Sequence, residues 1–140
     1  MTSKRSLSIC AGLGAVGMGL SFLVVYPAAA ADMKADVSKE IATAEQHAGF
    51  ALQSTELKMV HTHLHHTINC LVGPKGKTFD AKALNPCKDL GNGAIPDADA
   101  AMKKKLQAPL DKARAGLKST ELAAAQKDAG EVQEMLKKLM

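Results

Sequence analysis

Residues 57–71 read LKMVHTHLHHTINCL, and the spacing of their apolar members decides the fold class. At about 100° per residue, Leu57, Val60, Leu64, Ile68 and Leu71 fall on one stripe, the core-facing side of an amphipathic helix. Upstream, no proline interrupts Met33 to Leu71, and Ala, Glu, Lys, Gln and Leu predominate, which extends the helical reading. Gly49 is the weak point. Either one long helix runs through it, or the chain turns near Gly49 to Ser54 and restarts with Ser54 or Thr55 as N-cap and Glu56 in the first turn.

Downstream, Gly73 and Pro74 stop the helix, and residues 72–96 carry Gly-Pro, Asn-Pro and Gly-Asn-Gly turn signals that predict a long loop. Asp97 or Asp99 can cap a further helix through Met102, Leu106, Leu110 and Leu117, which Pro109 should kink or divide. A last helix starts at Ser119 or Thr120 and carries Leu122, Ala125, Ala129, Val132, Leu136 and Leu139 at helical spacing. Leu52 and Ser54-Thr55-Glu56-Leu57 recur as Leu117 and Ser119-Thr120-Glu121-Leu122. Ordinary capping chemistry can arise twice, but a true repeat would support two helical hairpins. The predicted fold is all-α: a small bundle, four helices as two hairpins, with a long tethered loop between the second and third helices.

The N-terminus has a different character. Lys4 and Arg5 precede an uncharged stretch from Leu7 to Tyr26, then Pro27 and four alanines, Ala28 to Ala31. This is the order of a secretory signal peptide, predicted over 1–31 with cleavage after Ala31 or Ala30. The remaining 32–140 is one domain's length, and the expected location is periplasmic or secreted, with no stable membrane association after cleavage. Loss of Lys4 and Arg5 lowers the formal charge from +4 to +2, too little to argue for nucleic acid. Phe50 and Phe79 are the aromatic side chains left, so aliphatic residues must build the core. Cys10 leaves with the signal, and the remaining pair, Cys70 and Cys87, predicts a disulfide across the long loop in an oxidising compartment. A pair of thiolate metal ligands is the alternative.

Four of the five histidines fall within six positions, as His61, His63, His65 and His66. His61 and His65, four apart, edge the apolar stripe, whereas Met59, His63 and His66 lie nearly opposite. Either set places donors on adjacent turns, close enough to share an ion, and a thioether beside two imidazoles suits copper. On a continuous helix His47 shares the face of His65 but lies about 27 Å away, so only a hairpin could bring it into a site. Solvated surface histidines are the plain alternative. The cluster predicts a transition-metal ligand, copper, zinc or nickel, held by a buffer, carrier or sensor, with binding that weakens as pH falls through about 6.5.

A haem-binding or electron-transfer bundle is the second reading, without Cys-x-x-Cys-His for covalent attachment. A helical interaction or chaperone-like protein with incidental histidines is the third, its partner a second copy or another periplasmic protein. No catalytic constellation is evident, so an enzyme is not expected. In general make-up the chain resembles small exported helical proteins that handle metals, and no functional residue is carried over from them.

Overall fold

A computed structural model of the protein describes residues 35–140; the expected signal peptide and its cleavage point lie outside them. The regular structure of the described residues is all helix, in five elements: α1 (Val37–Gln53), α2 (Leu57–Val72), α3 (Ala94–Asp97), α4 (Ala100–Lys118) and α5 (Leu122–Lys137). None is long and apolar enough to cross a membrane. One helix more is present than the sequence reading counted, because the predicted loop ends in the single turn α3. Pro96 is its third residue, a position whose N–H needs no intrahelical partner.

Helix α1 starts where Asp36 accepts a hydrogen bond from the Lys39 N–H at 3.1 Å. It ends at Ser54, so α1 and α2 are separate helices. Gly49 is not the breaker: it is buried inside α1, where a Cβ would meet the amide end of Gln133 on α5. The two Ser-Thr-Glu-Leu copies fold alike. Ser54 and Ser119 each end a helix in extended conformation, their N–H groups donating to Ala51 O and Gly116 O, both at 3.2 Å. Glu56 and Glu121 then begin α2 and α5 without a side-chain cap, contrary to the expectation that Ser or Thr would cap them. The serine hydroxyls instead donate back, to Phe50 O at 2.7 Å and to Ala115 O at 3.5 Å.

Asp99 caps α4, accepting from the Met102 N–H at 2.7 Å. Pro109 does not divide this helix. The hydrogen bond it removes costs about 3 kcal/mol, and its ring is fully buried beside Leu106, Leu110 and Ala113, whose burial offsets that loss.

The α2 stripe is buried as its spacing predicts, with Val60, Leu64, Ile68 and Leu71 at 0–1 % exposure and Leu57 partly covered. Alanines 44, 48 and 51 of α1 are fully buried, and so are Ala125 and Ala129 of α5. Small side chains let backbones approach: the Thr67 hydroxyl of α2 lies 3.2 Å from the Ala44 carbonyl of α1. Packing pairs α1 with α2 and α5, and α4 with α5 and α2.

Residues 73–93 are anchored at several points. Cys70 and Cys87 form the predicted disulfide, Cα atoms 5.1 Å apart. Asn69, fully buried one residue before Cys70, donates to Asp80 O and Leu84 O at 3.0 and 3.1 Å and accepts from the Asp80 N–H at 2.9 Å. The two ends of the segment cross at Gly73 (φ 63°) and Gly93 (φ 112°), where a Cβ on either would strike the other strand's backbone. Only glycine fits there. Glu40 of α1, itself buried, receives the Gly93 N–H at 2.8 Å.

Candidate metal centre

The α1–α2 turn is centred on Thr55, eight residues after His47 and eight before His63. Antiparallel helices set such equidistant residues side by side, and His66 follows His63 by one turn on the same face. His47, His63 and His66 accordingly converge, with one nitrogen from each ring lying within 4.8 Å of the other two. The Nδ1 atoms of His47 and His63 are 3.3 Å apart. The His66 ring stands nearly perpendicular to both others, with centroids 5.0 Å from His47 and 5.5 Å from His63. Among the described residues no other set of three His, Cys, Asp or Glu side chains comes this close.

Phe50 closes one flank, its ring edge-on to His47 and 5.5 Å from both His47 and His63. His66 is 8 % exposed, and its Nδ1 is buried with no hydrogen-bond partner. Such an atom costs free energy unless something accepts or supplies its bond. Burial lowers the pKa of all three rings below the usual histidine value. His47 falls to about 4, through burial first and then through the proximity of His66 and His63. The three are therefore neutral at pH 7, the form in which imidazole donates a lone pair. The expectation that protonation begins to compete near pH 6.5 is corrected downward by this burial.

The other sequence candidates lie elsewhere. His61 donates from Nε2 to the Ser119 carbonyl at 3.1 Å and ties α2 to the α4–α5 turn. His65 faces the loop, its Nδ1 3.3 Å from the Asp80 carboxylate. Met59 is 40 % exposed, and the three-nitrogen group forms without it. Cys70 and Cys87 are joined to each other, which removes both as thiolate ligands. Placing His47 with the face of His65 follows from a single unbroken helix; the reversal at Thr55 assigns it to His63 and His66 instead. Counting outward from Ser-Thr-Glu would have found the pairing.

No known protein family, curated protein or solved structure matches this chain. The candidate centre therefore rests on its own geometry. Three histidines close together could hold a metal ion. In a tetrahedral site with nitrogens 2.0–2.1 Å from zinc, neighbouring nitrogens lie about 3.3–3.4 Å apart, so a separation as large as 4.8 Å must close by about 1.5 Å. Two of the donors share one helix and the third sits on its neighbour.

Proposed function

We propose that this is an exported helical protein that binds one transition-metal ion, copper, zinc or nickel, through His47, His63 and His66, and serves as a buffer, carrier or sensor. One observation carries the reading: three neutral imidazoles converge across a helix hairpin, and one of them is buried with an orphan nitrogen. Side chains that merely solvate a surface have no reason to give up water in this way. An all-nitrogen donor set favours these borderline ions over magnesium or calcium, which take oxygen. Three protein donors leave a further position for water or an outside ligand, which suits an ion held for exchange. Binding without catalysis is the reading we put forward.

Export is supported by Lys4 and Arg5, the uncharged run to Tyr26 and the alanines at 28–31. A bundle of two hairpins, α1–α2 and α4–α5, is supported by the matching Ser-Thr-Glu turns.

Titration of metal-free protein with Zn²⁺, Cu²⁺ and Ni²⁺ tests the proposal. Wild type and a His61→Ala/His65→Ala variant should each bind one ion with similar affinity. A His47→Ala/His63→Ala/His66→Ala variant should lose on the order of 100-fold or more, beyond what loss of an outer-shell partner costs. Wild-type affinity in the triple variant would refute the assignment.

A further inference from the structure

On the opposite side of α2 from the three rings, the segment after Gly73 lies against α4 and borders two adjoining hollows, open to solvent, of about 460 and 520 Å³. They share Lys77, Thr78 and Arg114. Arg114 spans both and is held in place, Nη2 donating to the Thr78 hydroxyl at 3.0 Å and Nη1 to Asp111 at 2.9 Å. Its Nε is buried and has no partner. Lys75, Lys77 and Lys103 stand around the first hollow, and among the described residues none of the three forms an ion pair and no carboxylate lines either hollow. The floor is apolar, formed by Val72, Ile95 and Leu110.

We propose that this cleft is a second binding site, independent of the three histidines, for a small organic anion with an apolar body. The acid group sits among Lys77, Lys103 and Arg114, and the hydrocarbon lies on Val72, Ile95 and Leu110. The size is that of small-molecule sites, about 300–1,000 Å³. Unpaired lysines over an apolar floor match a molecule with one charged end. A nucleic acid would want a series of aromatic platforms for its bases, and the single ring lining the two hollows is the imidazole of His65. Arg114 suits a carboxylate because its guanidinium is already oriented, and Lys77 and Lys103 add flexible point charges.

The test is displacement of the fluorescent anion anilinonaphthalene sulfonate from purified protein by decanoate, decanol and decyltrimethylammonium. Decanoate should displace it with saturation at one site, and the neutral and cationic chains should be at least about tenfold weaker. Raising the salt concentration should weaken decanoate and leave decanol unchanged. Lys77→Glu/Lys103→Glu should reduce decanoate affinity by at least about tenfold, while Lys104→Glu/Lys105→Glu, on the exposed face of the same helix, should change it less than about twofold. Thermal melts confirm that both variants are folded. Should the first variant not fold, the salt series and the decanoate-to-decanol ratio on wild type decide alone. Equal displacement by all three chains, no salt dependence, or equal behaviour of the two variants would overturn the proposal. Displacement by an acidic peptide with decanoate inert would overturn it too, giving the cleft to a protein partner.

Discussion

Replacing His66 with leucine should move stability and metal binding in opposite directions. In the metal-free protein His66 is 92 % covered, and its Nδ1 lacks a partner. Leaving such a group unsatisfied costs about 1–3 kcal/mol. Leucine has comparable bulk and no polar atom, so it recovers that cost. It gives up the edge-on contacts with His47 and His63, of which an aromatic pair is worth about 0.5–1.5 kcal/mol; the dispersion part of those contacts is retained. The net expectation is a metal-free variant more stable by about 1 kcal/mol, or a Tm roughly 4 °C higher in a domain of this size. Zinc at 100 times its Kd should add about 2.7 kcal/mol to wild type and almost nothing to the variant. Thermal and denaturant unfolding with and without zinc would measure both effects. A metal-free variant less stable than wild type by 1 kcal/mol or more would refute the argument from the orphan nitrogen. Undiminished stabilisation by zinc would refute the role of His66 as a ligand.

Acidification provides another check. The folded-state pKa of His47, His63 and His66 lies below the unfolded value of 6.5, so the unfolded chain binds more protons in that range and metal-free stability falls as pH drops from 6.5 toward 4. For His47 the full effect would be about 3.4 kcal/mol at 1.36 kcal/mol per pH unit, and solvent at the half-buried ring reduces this to about 1–2 kcal/mol. Glu40 acts in the opposite sense, because burial raises its carboxyl to about 7 and the folded chain then binds the extra proton between pH 4.5 and 7. Glu40→Gln keeps an acceptor for Gly93 and removes that compensation. Its stability should drop more steeply than wild type between pH 7 and 5; parallel denaturant midpoints would contradict the pKa assignments. Reduction of Cys70–Cys87 should cost about 3 kcal/mol by loop-closure entropy, and hydrogen exchange should speed up across 73–93 if the bridge is what holds the segment. Gly93→Ala should lower the denaturant midpoint by more than the reduction does, since the added Cβ meets the backbone at Gly73 in a left-handed conformation.

The α2 stripe was legible because Leu57 to Leu71 repeat at the helical period and the core needs that face. The disulfide was legible because two cysteines remain once the N-terminal segment is set aside. Four features were harder to see. Pro109 signals a break by local rules, yet burial in the core overrides it. Ser54 and Ser119 look like N-caps, but their hydroxyls turn back to the helix behind them, where the last turn's carbonyls also need partners. The partner of His47 depends on where the chain reverses, and helix periodicity says nothing about that. The role of His65 and Asp80 in closing the loop was equally hidden, because Asn69 arranges that contact through three hydrogen bonds to a segment with no period of its own.

The bridge between Cys70 and Cys87 has a bearing on how this protein would wear. Pro74, Lys75, Lys77 and Lys82 are exposed, so an enzyme that cuts after lysine meets its first easy targets inside the span that Cys70 and Cys87 enclose. A cut there opens the chain without releasing a piece. The nicked molecule stays in one covalent piece until a reductant arrives, with the hairpin bearing His47, His63 and His66 still attached to the other half.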